Sequence, residues 1–306
     1  MNKVRVYFLL LPHIHILDVA GADHVFYEAK QQGADIEVHY CSVNGKVVST
    51  SGLALGLFEH CNSVRVEKND IVVIPGSESS YLLSGELADA ADVLEWLRTA
   101  YNNGATICSV CTGAFLLARA GLLDGKQCTT HWTCTQKLQE LFPSARVQEN
   151  VLFTQDGTVY TSAGVSSGID LALHIVSELF GEALAFTVAR MLVLYIRRTG
   201  HEAQHSLYMV YRNHINSGIH AVQDWIIDNL SKNFTLDDLA RVAFMSTRTL
   251  TRQFKNATGV SVGEYIRLLR KETALKLIEN TTHTRVEIAQ MCGLQSVRQL
   301  QRIIHS

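Results

Sequence analysis

The chain has 306 residues, 47% hydrophobic and 18% charged, with a net charge of −2. That is long enough for two domains with separate cores and too apolar for a disordered protein. No apolar run reaches the roughly 18 residues of a membrane-spanning helix, so no membrane partner is expected.

The opening MNKVRVYFLLLPHIHILD is interrupted by His13, His15 and Asp18 and has no small-residue cleavage site. It predicts a buried first strand, not a leader peptide. LDVAGADHVFYEAKQQG is next, a helix ending at Gly33, then IEVHYCSV and DIVVIPG as strands. ADAADVLEWLRTAYNNG predicts a helix with a stop at Gly104, ATICSV a buried strand and TGAFLLARAGLL a helix. TVYTSAG is a further strand, and IDLALHIVSELFG a helix closed by Gly181. EALAFTVARMLVLYIRR continues as helix into a polar stretch, RTGHEAQHSLYMVYRN. Helical periods between short apolar runs are the signature of βα units, so residues 1–198 are expected to form an α/β domain. Its parallel, flavodoxin-like sheet would have helices on both faces. Residues 199–214 are expected to be the linker.

Residues 215–306 predict an all-α domain. Thr235-x-x-Asp238, Ser261-x-x-Glu264 and Thr284-x-x-Glu287 each have the pattern of a capping box. The helix VGEYIRLLRKETALKLIEN places Tyr265, Leu268, Leu269, Leu275 and Ile278 on one face. Charge divides along the same boundary: residues 1–214 hold 15 Lys+Arg against 21 Asp+Glu, residues 215–306 hold 12 against 8. The basic part suits phosphate contacts.

Within it, LARVAFMSTRTLTRQF is echoed by IAQMCGLQSVRQLQRII. The offset is 49 at Leu239/Ile288, Ala240/Ala289 and Met245/Leu294, and 50 at Leu250/Leu300 and Phe254/Ile304. The second copy therefore has one extra residue in its turn. Each copy predicts a helix-turn-helix. With Met245, Leu250 and Phe254 buried, Ser246, Thr247, Arg248, Thr249, Arg252 and Lys255 remain outside as DNA contacts. The counterparts are Ser296, Arg298, Gln299 and Arg302. Arg can bind guanine bidentately, and hydroxyls reach phosphates or base edges. The segment from LDDLARVAF through VRQLQR resembles the AraC/XylS family of transcription regulators over about 80 residues. That family continues with another turn and a terminal helix, so the module, ending at Ser306, is expected to be shortened.

In the N-terminal part, Cys111 falls on a strand-to-helix turn, the position of a nucleophile elbow. A helix N-terminus there is expected to lower the thiol pKa, with the Thr112 amide aimed at an oxyanion or carboxylate. Gly76-Ser77 would supply a second amide, His131 would polarise the cysteine, and Asp18 would bond the thiol or a ligand amine. Cys108, Cys128 and Cys134 are expected to be packing residues, and His13 and His15 to lie at the surface or a strand end. The seven cysteines, odd in number and without framework spacing, fit a reducing cytosol. Cys108-x-x-Cys111 lacks a second CxxC, so no metal or other cofactor is expected.

IPGS, SVCTGAFLLARAGLLDG, TTHW and TSAGVSSGIDLALH resemble the PfpI-like branch of the class I glutamine amidotransferase superfamily over roughly residues 4–185. A true amidotransferase has a His-x-Glu near the domain end. SAGVSSGID has neither residue, so the resemblance implies no glutaminase. Together the two resemblances imply a cytoplasmic regulator, working as a homodimer on promoter DNA. Its small-molecule effector, an amino acid or quaternary amine, would sit among Asp18, Gly76, Ser77, Cys111, Thr112, His131 and Val165. Two other readings remain open: an isonitrile-hydratase or hydrolase enzyme using Cys111 with a threonine and Asp18, and a redox sensor at Cys111.

Overall fold

A computed structural model describes residues 3–83, 91–195, 197–204 and 207–305. These form two compact units, Met1–Gln204 and His205–Ser306. No described helix is long and apolar enough to cross a membrane.

In the first unit the described strands are β1 (Val4–Leu10), β2 (Ile36–Ser42), β3 (Lys46–Val48), β4 (Ala54–Leu57), β5 (Ile71–Ile74), β6 (Thr106–Val110), β7 (Gln127–Cys128), β8 (Arg146–Val147), β9 (Phe153–Asp156) and β10 (Val159–Ser162). Six of them make the main sheet, ordered β2-β1-β5-β6-β10-β9. Neighbours from β2 to β10 run parallel, and β9 pairs antiparallel with β10. The sheet is thus mixed and not wholly parallel. Gly157 and Thr158, between the paired Asp156 and Val159, make the tight turn that reverses the chain, with Gly157 at φ +64°.

Alternation along β1 explains why both faces are covered. Val6, Phe8 and Leu10 enter one core, and Tyr7, Leu9 and Leu11 the other. Helices Ile16–Gln31, Ser166–Phe180 and Glu182–Met191 line the first face. Ala91–Asn102 and Ala114–Arg119 line the second; the start of the first of these, expected at 88–90, falls outside the described residues. The chain leaves β1 for β2 on one side, while β5 lies on the other. The carboxyl ends of β1 and β5 are therefore the switch point, the place where open α/β sheets bind ligands.

The helix expected over 182–198 ends at Met191, and Val193 turns left-handed at φ 55°. Two ion pairs further along explain the stop. Arg197 pairs with Glu182 and Arg198 with buried Asp170, which requires the chain to run back along the unit. The stretch expected as a linker is divided. Gly200 O accepts from the Leu152 and Phe153 amides at 2.8 and 3.2 Å, on the first unit. Leu207 and Tyr211 pack into the second, where Gln223 Nε2 donates to Tyr211 O at 2.8 Å.

The second unit contains helices Ser217–Asp228, Leu236–Val242, Thr247–Thr258, Val262–Asn280, Arg285–Met291 and Val297–Ile304. It has two small cores. Ile219, Leu239, Leu250, Phe254 and Tyr265 centre one, and Ala274, Ile288, Ala289, Leu294 and Leu300 the other. The Val262–Asn280 helix serves both. Its buried residues are Val262, Tyr265, Leu269 and Ala274, so Leu268 and Leu275, expected on the seam, are only partly covered. Thr235/Asp238 and Thr284/Glu287 form complete capping boxes. Ser261 caps the Glu264 amide, but Glu264 turns to Arg267.

The added residue of the second repeat sits in its turn, between Met291 and Val297, against Val242 to Thr247 in the first. Both turns need a left-handed residue. The second uses Gly293 at φ +67°, and the first uses Phe244 at φ 54°, with its ring 98% exposed. A left-handed non-glycine costs about 1–2 kcal/mol, partly offset by the unfolded-state entropy a glycine would bring. Phe244→Gly should therefore stabilise the C-terminal unit by about 0.5–1 kcal/mol in denaturant unfolding. Gly293→Ala should destabilise it, since a Cβ there would lie 2.5 Å from Leu230 O. Equal stability of wild type and Phe244→Gly would contradict the strain.

Candidate functional site

Cys111 follows β6 directly and adopts φ 58°, the strained turn of an elbow. Thr130 Oγ1 holds its carbonyl at 2.8 Å. Opposite it lies Asp18, in the first turn of Ile16–Gln31 and wholly buried. Asp18 Oδ1 accepts the Val165 amide at 2.7 Å, a bond across 147 residues of sequence. Val165 is itself strained, at φ 51° and ψ −113°. Glycines let these groups meet. A Cβ on Gly76 would lie 2.5 Å from Asp18 Oδ2, and one on Gly164 2.3 Å from Cys111 Cβ.

Three expectations about this site change. Cys111 is 4% exposed, and burial first, then the Asp18 carboxylate, push its thiol well above the usual range. The Thr112 amide pulls the other way without prevailing. The helix N-terminus therefore does not produce a thiolate, because desolvation and a neighbouring acid outweigh one amide. Second, Ser77 is committed to the scaffold. Its amide donates to Thr112 Oγ1 at 3.0 Å, Thr112 Oγ1 donates to Ser77 O at 2.7 Å, and its hydroxyl bonds Pro12 O. Third, the histidine grouped with the acid and thiol is His15. Its Nδ1 lies 3.4 Å from Asp18 Oδ2, and ligand atoms of His15, Asp18 and Cys111 lie within 4.8 Å of one another. His131 Nδ1 instead meets Thr133 Oγ1 at 2.7 Å. Only the i,i+3 spacing of His15 and Asp18 could have flagged this in the sequence. Thr130 is a second residue that sequence reasoning misses, its position carrying no signal of its own.

The Thr112 amide meets the Cys111 thiol, and the Asp18 Oδ2 atom is buried without a hydrogen-bond partner among the described residues, beside part-exposed His15 and half-exposed Val165. Burial raises the thiols of five other cysteines, Cys41, Cys61, Cys108, Cys128 and Cys292. Cys41, Cys61 and Cys128 are each pushed up to about 12, and all seven thiols are free. Cys108 and Cys128 pack in the two cores, with Cys134 against the second face.

In the second unit, Ser246 Oγ accepts the Thr249 amide at 3.2 Å and lies 2.9 Å from Thr249 Oγ1, so both hydroxyls serve the cap. Ser296 and Gln299 do the same in the second repeat, where Gln299 Oε1 accepts the Gln295 amide. The exposed face of Thr247–Thr258 forms an open groove of about 520 Å³ lined by Leu236, Thr247, Arg248, Thr251, Arg252, Lys255 and Asn256. Thr251 and Asn256 are additions to the expected set, though 248/252/256 and 251/255 follow the helical repeat. Among the described residues, Arg248, Arg252, Lys255, Arg298 and Arg302 have no acidic partner, while Arg241, Arg267 and Arg212 are paired.

Comparison with known proteins follows the same division. The DJ-1/PfpI family profile matches residues 4–178, and a helix-turn-helix domain profile matches residues 239–306. The HTH-type transcriptional regulator GbdR of Pseudomonas aeruginosa is 27% identical over 300 residues, 96% of this chain and 79% of the relative. The isonitrile hydratase of Pseudomonas putida is 32% identical over 182 residues, 58% of this chain and 73% of the enzyme. Among solved structures, an AraC family transcriptional regulator from Pseudomonas putida superposes with a TM-score of 0.55 at 28% identity, covering 62% of this chain and all (100%) of that one.

The Cys111 environment can be checked by alkylation. At pH 8 wild-type Cys111 should react slowly with iodoacetamide. Asp18→Asn, which removes the acid's charge, should speed its modification by about tenfold in peptide mass mapping. Unchanged or slower alkylation in Asp18→Asn would mean that the carboxylate does not govern the thiol.

Proposed function

The chain belongs to the DJ-1/PfpI family and carries an AraC-type helix-turn-helix domain, and from that pairing we infer a transcription regulator whose α/β domain senses a small molecule. The observation that carries the DNA reading is the set of five unpaired cations on the two recognition helices. Solvent-exposed arginines commonly find acidic neighbours, as others in this unit do. Leaving these ones open suits phosphates and base edges.

The effector would be a compound bearing a cationic nitrogen and a carboxylate, an amino acid or a quaternary amine. Asp18 faces the cation and the Thr112 amide faces the anion. Gly76, Ser77, Cys111, His131 and Val165 shape the site around them. Binding would bias the arrangement of the DNA-binding domains, in a homodimer, through differential affinity for two arrangements. A regulator of this kind works in the cytoplasm, on double-stranded promoter DNA.

Turnover at Cys111 has less support. The relatives that align over 96% of the chain are regulators, while the isonitrile hydratase aligns over 58%. A thiol held protonated is also a poor nucleophile and slow to oxidise, which weakens both the hydratase and the redox-sensor readings.

Fluorescence anisotropy with the protein's own upstream DNA tests the regulator reading. Affinity should fall as salt rises, and Arg248→Ala with Arg252→Ala should weaken binding by about tenfold or more. The slope of log affinity against log salt should shrink by about one for each phosphate that the variant no longer neutralises. Salt-independent binding, or equal binding by the double variant, would refute it. Thermal shift with amino acids and betaine-type amines then tests the effector class, and Asp18→Ala should abolish any shift.

A further inference from the structure

The last residues of the N-terminal unit, 197–204, pass beside β9, turn at Thr199–Glu202, where the Glu202 amide donates to Thr199 O at 3.2 Å, and end where the second unit begins. Arg197 ties the segment to Glu182, and two further attachments, one near each end, lead back to the Asp18–Cys111 site.

At one end Arg198 Nη2 donates to Ser166 Oγ at 2.8 Å, while its Nε lies 3.0 Å from Asp170 Oδ2. Ser166 directly follows Val165, the residue whose amide Asp18 holds. At the other end Gln204 Nε2 donates to Thr130 O at 3.1 Å and to Thr129 Oγ1 at 3.3 Å. Thr130 is the residue whose hydroxyl holds the Cys111 carbonyl. Between them, Gly200 O takes the Leu152 and Phe153 amides beside β9. Gln204 Oε1 is buried with no partner, so this end is docked by the amide nitrogen alone, an attachment with little in reserve.

We infer that residues 197–204 form a strap whose docking reports occupancy of the Asp18–Cys111 site. A ligand cation that competes with Val165 for Asp18 frees a peptide held at φ 51° and ψ −113°. As Val165 relaxes, Ser166 moves and Arg198 loses one of its fixtures. A ligand seated on the Thr112 amide displaces the Cys111 peptide, and Thr130 carries that shift to Gln204. Release of the strap lengthens the tether to the DNA-binding unit, which changes the effective concentration of that unit at DNA held by the DNA-binding unit of a second copy. This inference rests on the regulator reading above and supplies its regulatory step.

Hydrogen exchange by mass spectrometry on the full chain tests it without DNA or effector. The peptides to follow are those covering 197–204 and those containing the Leu152 and Phe153 amides, with β1 as the fold control. Gln204→Ala should speed exchange in the strap by about tenfold, the scale of one lost hydrogen bond. Asp18→Ala and Thr130→Val touch no strap residue through the altered group, yet each should also speed strap exchange several-fold while β1 stays protected. Thr130→Ser, which restores the hydroxyl, should return the wild-type rate. If Asp18→Ala exposes β1 as well, Thr130→Val and its rescue decide the question. Strap exchange unchanged in Thr130→Val, or unchanged in Gln204→Ala, overturns the inference. Such a result leaves promoter binding untouched. Loss of salt-dependent promoter binding with strap exchange as expected would instead sink the regulator reading alone.

Discussion

The N-terminal unit is organised around one fully buried carboxylate. Asp18 sits at the carboxyl end of the first strand, where an isolated charge would be costly unless donors surround it. The Val165 amide supplies the strongest of these, and His15 and the Cys111 thiol complete the setting. The demand runs outward from there. Val165 can offer its amide only by taking a left-handed conformation that a β-branched residue resists. Gly76 and Gly164 must be bare so that acid, thiol and backbone can approach. Both strained residues meet the same carboxylate, Val165 through its amide and Cys111 through its thiol, and the sheet order β1-β5-β6-β10 makes the meeting possible.

That arrangement explains which parts of the site are legible in sequence. Cys111, Thr112 and Asp18 are marked by local context, an apolar strand before a small-residue helix start, or an acid in a first turn. Their placement can be read because elbow and N-terminus are local structures. The sign of the thiol shift cannot, because it depends on burial and on an acid 93 positions away in the sequence. His15 and His131 show the same limit. TTHW looks like a site histidine by its sequence neighbours, but the imidazole beside the acid is fixed by the helix that carries Asp18. Ser77 is correctly placed near the elbow, yet its amide is not free, since nothing in IPGS shows that Thr112 Oγ1 will occupy it.

The C-terminal unit is legible in more detail because its signals are short-range. Capping boxes, a left-handed stop at Gly259 and a repeat with a defined offset are all written within a few residues. Where expectation and structure part, the tertiary context changes the rule. The sequence predicts a single amphipathic seam on Val262–Asn280, but the helix serves two cores in succession. Its buried positions therefore shift phase, from Val262, Tyr265 and Leu269 to Ala274. In the N-terminal unit the antiparallel β9 escapes an expectation of parallel strands, although the Asp156-Gly157 pair at its turn is a strong hairpin signal. A short strand beside a hairpin turn carries too few residues for its pattern to compete with the βα period around it.

The two cores also bear on how recognition can work. Each recognition helix is anchored by its own cluster: Leu250 and Phe254 in one that also takes in Ile219, Val222, Ile226 and Tyr265, and Leu300 in a smaller one with Ala274, Ile288 and Ala289. Val262–Asn280 runs through both clusters, and Arg270 on it bonds the Leu230 and Lys232 carbonyls, just before the first repeat, with its Nη2 while lying against Gly293 in the second. The spacing of the two readers is thus set by the shared helix, by Arg270 and by the close approach of Gly293 to the Leu230 carbonyl, the two apolar clusters remaining separate. If the module reads DNA through both helices, the spacing this joint sets is the spacing at which two adjacent major-groove segments would have to be presented.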